Sequence, residues 1–204
     1  RLLSGKTGYG LLELGATLDK SQLLKDDPHV WLDPILAARM VREVGRWLGT
    51  LDLAHAEEYS QAAEDYAAKI EELLREGKAA MQRVRVRQAV TSHAAFGYLF
   101  RRLGIEVIGV IEEQPGREPS SRHIADLLGT MKSVGLKSVF AEPQLSERAA
   151  EALAREVGGR VWVLDPIGDA SDPQRNTYLG LMRFNIAQIV NALSASDPAK
   201  GPGR

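Results

Sequence analysis

Apolar residues recur at spacings of three and four along residues 34–49, where Ile35, Leu36, Ala38, Met40, Val41, Val44, Trp47 and Leu48 predict an amphipathic helix. Asp33 is a good N-cap and Pro34 a good first helical residue, so the start of this helix is well marked. The longest periodic segment follows. Tyr59, Ala63, Tyr66, Ala67, Ile70, Leu73, Leu74, Gly77, Met81 and Val84 form one apolar stripe, with Glu57, Glu58, Glu64, Asp65, Lys69 and Glu72 on the other positions. No proline interrupts residues 52–84, and 1.5 Å per residue predicts a rod of roughly 50 Å, capped by Thr50 or Asp52. A single helix bracing a globular body fits the flanking segments better than a coiled-coil arm. Ahead of both helices, residues 11–18 read as a strand, with turns at Gly5, Gly8 and Gly10.

Beyond residue 85 the pattern becomes strand, helix, strand, helix. Apolar and β-branched runs at 88–91, 105–111, 136–141 and 161–164 predict strands. Helical spacing at 94–103, 119–134, 146–157 and 175–193 predicts helices, the first three stopped by Gly104, Gly135 and Gly158-Gly159. Strands alternating with helices imply parallel pairing through right-handed crossovers. The fold class is therefore α/β, with a complete small lobe in about 110 residues and a loose tail at 196–204.

Composition narrows the function. At 204 residues the chain makes one large domain or two small ones, and an apolar share of 44% predicts a water-soluble globular protein. Lys plus Arg number 26 against 27 Asp plus Glu, so no basic surplus exists to neutralise phosphates and nucleic acid is not an expected partner. The absence of cysteine excludes thiolate metal sites and disulfides. No run approaches the roughly 18 apolar residues of a membrane span. The opening Arg1-Leu2-Leu3-Ser4-Gly5 does not read as a signal segment, and a leader is expected outside this chain.

The stretch Asp27-Pro28-His29-Val30-Trp31-Leu32-Asp33-Pro34 places His29 on a short, stiff loop at a helix entrance. In open parallel sheets, ligands bind at the carboxyl ends of the strands. His93, Glu142 and Asp165 each follow a predicted strand and project from that same edge. Imidazoles with a carboxylate suit zinc or another late first-row divalent ion. Blander readings stand beside this one: a capping loop for His29, a helix-entry polar residue for His93, a turn carboxylate for Asp165. Glu142 is expected to hydrogen-bond near the site rather than bind metal, while His55 and His123 read as surface residues. No His-Glu-x-x-His, Gly-x-Ser-x-Gly or phosphate-loop motif is present, although an Asp/His/Glu metallohydrolase remains an alternative.

Five segments in order, Asp27 to Pro34 (DPHVWLDP), Thr91 to Phe100 (TSHAAFGYLF), Gln114-Pro115-Gly116, Phe140 to Gln144 (FAEPQ) and Leu164 to Gly168 (LDPIG), resemble the metal-binding solute receptors of bacterial zinc and manganese ABC transporters, zinc-uptake members above all. The resemblance implies two α/β lobes joined by one long rigid helix, with a metal ion between the lobes. On this chain that means a remnant of the N-terminal lobe at 1–51, the connecting helix at 52–84 and the C-terminal lobe at 85–195. It also implies His29, His93 and Asp165 as ligands. Manganese-selective relatives often carry glutamate at the place of His93, so the histidine favours zinc over manganese.

The family places a further histidine ligand early in the N-terminal lobe, whereas His29 is the first histidine here. Most of that lobe is therefore expected to be missing, the ion absent or incompletely coordinated, and the open lobe face available for dimerisation. The implied function is capture of the ion outside the cytoplasmic membrane, with a lipid-anchored form compatible with it, and delivery to an ABC permease without chemical turnover. An adhesion or interaction module on the same fold is the alternative. A rigid connecting helix predicts release through modest lobe or loop shifts.

Overall fold

The structure, a computed structural model, describes residues 10–114 and 116–196. The turns expected at Gly5 and Gly8, Pro115 of the Gln114-Pro115-Gly116 segment and the tail from 197 lie outside the described residues.

Helix α1 (Pro34–Leu51) begins as its sequence predicts: Asp33 accepts the backbone N–H groups of Ile35 and Leu36, with proline at the first turn. Helix α2 (Ala56–Met81) is shorter than the predicted rod, 26 residues or about 39 Å. The chain breaks at Asp52 (φ −135°, ψ 85°), turns through a 3-10 segment Leu53–His55 and folds back. Asp52 caps no helix start. Its carboxylate instead takes the His55 ring at 2.8 Å and the Tyr59 hydroxyl at 3.1 Å, which locks the turn. The two helices approach closely at small residues. A Cβ on Gly45 would stand 2.5 Å from the Ala63 methyl, and one on Gly49 3.2 Å from that of Ala56. Arg42 bridges Glu64 and Glu71 across the pair.

The strand expected at 11–18 is not formed. Leu14–Thr17 is a 3-10 turn closed by the Thr17 hydroxyl on the Leu14 carbonyl, and Leu18 alone of this stretch is buried. Local side-chain-to-backbone bonding closes the turn in place of a strand.

The parallel α/β lobe is as predicted. Four strands, β1 (Gln88–Thr91), β2 (Glu106–Val110), β3 (Ser138–Ala141) and β4 (Arg160–Val163), lie in the order β2-β1-β3-β4, all neighbours parallel. Helices α3 (Gly97–Leu103), α4 (Ser121–Val134), α5 (Arg148–Glu156) and α6 (Tyr178–Ala195) connect or follow them. One continuous core joins the sheet (Val90, Val139, Phe140) to α2 (Leu73, Leu74, Met81), α3 (Leu99, Phe100) and α6 (Met182, Ile186, Ile189). Helix α2 therefore packs on the lobe along its C-terminal half rather than standing clear of it. Ser196, assigned to the tail by sequence, is buried and bonded to Ser138. Among the described residues no helix is long and apolar enough to cross a membrane.

The chain runs outward from β1 to β2, then returns across β1 to β3. That reversal puts a topological switch point, where ligands bind in such sheets, at the carboxyl ends of β1 and β3.

Candidate metal centre

His93 and Glu142 follow the two strands at the switch point and meet there: His93 Nδ1 lies 2.6 Å from Glu142 Oε1. His93 does not open a helix, as its sequence suggested. The Thr91 hydroxyl donates to the His93 carbonyl at 2.9 Å, which bends the chain, and α3 begins only at Gly97. His29 approaches the same edge from outside the sheet. Asp26, in the left-handed region at φ 58°, turns the chain into the Asp27-Pro28-His29 loop. Asp27 Oδ1 then accepts both the His29 backbone N–H (2.9 Å) and its ring Nδ1 (2.8 Å).

The two imidazoles meet edge to face, with centroids 5.3 Å apart and planes inclined by 67°. A carboxylate can only accept, so each Nδ1 carries the proton and each neutral ring keeps its lone pair on Nε2. Among the described residues neither Nε2 makes a hydrogen bond. This is the carboxylate–histidine arrangement that orients metal-binding imidazoles and raises their basicity. Both rings line a cleft of about 600 Å3 with Asp27, Thr91, Phe96 and Glu112.

Asp165 follows β4 and is buried with Glu142 at the same edge. It accepts from Gln144, from the Ile167 and Gly168 backbone and from Arg175. Its loop is tied to that of His29: the Trp31 indole donates to the Pro166 carbonyl at 2.7 Å, and the Tyr178 hydroxyl donates to the Trp31 carbonyl at 2.9 Å. Burial pushes the Tyr178 phenol far above its ordinary pKa, so it remains a donor. The structure thus brings the two imidazoles together. Among the described residues no three His, Asp or Glu side chains already stand at ligating positions, and Asp165 is engaged by Arg175.

His55 is exposed, as expected. His123 is half-buried rather than superficial, because its Nε2 donates to the Val110 carbonyl at the end of β2. Glu142 hydrogen-bonds at the site, as expected, whereas sequence reasoning did not single out Asp27 as the acid behind His29. The Asp-Pro-His spacing carried the signal for Asp27, whereas nothing local marked Arg175.

Glu142, through its hydrogen bond first, pushes the His93 pKa above its usual value. Burial opposes this, and the charges of Glu142, Glu112 and Asp27 add to the rise. A folded-state pKa above the unfolded one means that the metal-free pair stabilises fully below about pH 6.5 and fades as pH rises through the higher folded value. Glu142→Gln removes the charge and keeps an acceptor. If His93 ligates zinc, the change is expected to weaken zinc binding about 10- to 100-fold, and in either case to return the His93 pKa toward normal. Zinc competition and ring-proton NMR check the two effects.

The family described as zinc-uptake complex component A, periplasmic (ZnuA), matches residues 5–192. The high-affinity zinc uptake system protein ZnuA of Bacillus subtilis is 28% identical over 170 residues, covering 82% of this chain and 53% of that protein. The zinc-binding protein AdcA of Streptococcus pyogenes serotype M1 is 32% identical over 166 residues, covering 80% of this chain and 32% of that protein. The chain thus spans about half or less of the length of these curated relatives. Among solved structures, the laminin-binding protein Lmb of Streptococcus agalactiae, described as having adhesin and metal transporting activity, superposes with a TM-score of 0.78 at 31% identity, over 89% of this chain and 70% of that one. A crystal structure of ZnuA gives 0.74 at 29% identity, over 87% and 64%.

Proposed function

The chain belongs to the zinc-uptake component A family of solute-binding proteins, and on that premise we propose that it captures a divalent transition metal, zinc before manganese, for an ABC permease outside the cytoplasmic membrane. The proposed ligands are His29 and His93 through Nε2, joined by Asp165. The observation that carries the reading is the close pair of imidazoles, each held at Nδ1 by its own carboxylate. Neutral nitrogen donors backed by acids suit zinc, and the surrounding carboxylates Asp27, Glu112 and Glu142 favour any cation. The ion is cargo, so the residues hold and release it and no bond is made or broken in it. The adhesin reading draws on the descriptions of structural relatives, the laminin-binding proteins Lmb and Lbp, while the paired imidazoles of this chain favour metal binding.

The test is calorimetric titration of chelator-stripped protein with zinc and with manganese. One zinc per chain, bound more tightly than manganese, is expected, and no uptake of either ion would sink the reading. Protonated imidazole cannot coordinate. Affinity is therefore expected to fall as pH drops through the raised His93 pKa, starting above the ordinary value of 6.5. A flat affinity between pH 5 and 8 would remove the histidines from the ligand set.

A further inference from the structure

The two oxygens of Asp165 are used unequally. Oδ1 accepts from Gln144 Nε2 at 3.0 Å, from Ile167 N at 3.1 Å and from Gly168 N at 3.0 Å. A carboxylate oxygen offers about two lone-pair positions, so three donors saturate it. Oδ2 has a single donor among the described residues, Arg175 Nη1 at 2.6 Å. Arg175 is itself shared. Its Nε donates to Asp172 Oδ2 at 2.7 Å, and its guanidinium lies 5.4 Å from the centroid of the Phe184 ring.

We propose that Arg175 is a built-in competitor for the metal: its guanidinium holds Asp165 Oδ2 until an incoming divalent ion takes that oxygen, and Asp172 retains the displaced side chain. This rests on the reading of Asp165 as a ligand. Oδ2 is the oxygen with capacity for an ion, and it is the one Arg175 grips. A guanidinium and a divalent ion repel each other at one buried oxygen. Arginine cannot relieve that repulsion by losing its proton, so it must move. The surroundings permit such a move. The planar guanidinium pivots as one unit toward Asp172, its other carboxylate partner, while the loop between Gly168 and α6 is held by its own short-range bonds, Ser171 to Asp169 and Gln174 to Asp172. The same competition has a use for a carrier. An ion that must be surrendered is bound against a resident cation ready to reclaim the carboxylate.

The experiment compares wild type, R175Q and D172N by zinc competition with a chromophoric chelator, and by stopped-flow release. R175Q is expected to bind zinc at least about tenfold more tightly and to release it more slowly. D172N leaves Asp165 as the one carboxylate partner of Arg175, so it is expected to bind zinc more weakly. Asparagine still accepts from Gln174 N, which keeps the loop turn. A merely structural Arg175 predicts that both variants bind more weakly. In wild type, the Arg175 Nε–H signal, assigned by its loss in R175Q, is expected to shift with one equivalent of zinc. Unchanged or weakened binding in folded R175Q, or a stationary Nε–H signal, overturns the proposal while leaving zinc capture intact. If R175Q does not fold, the wild-type signal, assigned by selective arginine labelling, decides alone. A wild-type protein that takes up no zinc defeats both readings together.

Discussion

His93→Ala is expected to lower zinc affinity by more than about 100-fold. Removing only the acid behind a ligating imidazole costs about 10- to 100-fold, and loss of the donor nitrogen itself must cost more. The fold should survive, because His93 stands in a bend after β1 and is absent from the core cluster. One structural cost is foreseeable. Glu142, 2% exposed, loses its His93 partner, and a stranded buried polar group costs about 1–3 kcal/mol. The double variant His93→Ala/Glu142→Ala removes that stranded acid. It should lose zinc equally while recovering part of the stability. Zinc competition beside a thermal melt separates the effects. If His93→Ala keeps wild-type affinity, the two rings are a packing pair and not a donor pair.

Asp33→Ala is expected to cost about 3 kcal/mol of stability. Asp33 is fully buried and does two jobs. It caps α1, worth about 1 kcal/mol, and its two oxygens accept Arg102 Nε at 2.8 and 2.9 Å, with Arg101 at 3.4 Å. Breaking a fully buried pair from one side costs about 3–5 kcal/mol; the Arg102 side chain is 26% exposed, which screens the pair and brings its share down to about 2 kcal/mol. For a chain of this size the loss lowers Tm by roughly 6–12 °C. Asp33→Asn keeps the cap and removes the charge, so its shift should be smaller. Calorimetric melts of both check the division, and equal melting of Asp33→Ala and wild type would show that the pair contributes nothing. The pair also ties the start of α1, and with it the His29 loop, to α3, which follows His93. Loss of Asp33 should therefore loosen the spacing of the two rings.

The parallel lobe was legible in the sequence because each of the first three strands is a short apolar run followed by a glycine-stopped helix, as at Gly104 and Gly135, both left-handed at φ 69°. The same reading located His93, Glu142 and Asp165, since a residue directly after a parallel strand must emerge at one edge. Features of another kind escaped it. The break at Asp52 depends on a carboxylate binding a ring and a phenol inside the turn, which apolar periodicity cannot register. The turn at Leu14–Thr17 replaced a strand whose pairing partner no local pattern could supply or deny. Arg175 lies ten positions beyond Asp165, where helical spacing predicted the start of the last helix; α6 begins only at Tyr178, Arg175 stays in the preceding loop, and its grip on that carboxylate is a matter of three-dimensional placement. Convergence of His29 on His93, across an intervening helical hairpin, came from family resemblance and not from spacing.

Trp31 is fastened at both ends, its carbonyl by the Tyr178 phenol and its indole by the Pro166 carbonyl. An excursion that lifted the His29 loop from the sheet would unfasten an aromatic hydroxyl and an aromatic N–H in one event. The loop's thermal wandering is thereby slaved to that of the sheet, and the two imidazoles ride on a common chassis. Trp31, one of three tryptophans, doubles as a native fluorescent gauge of that junction.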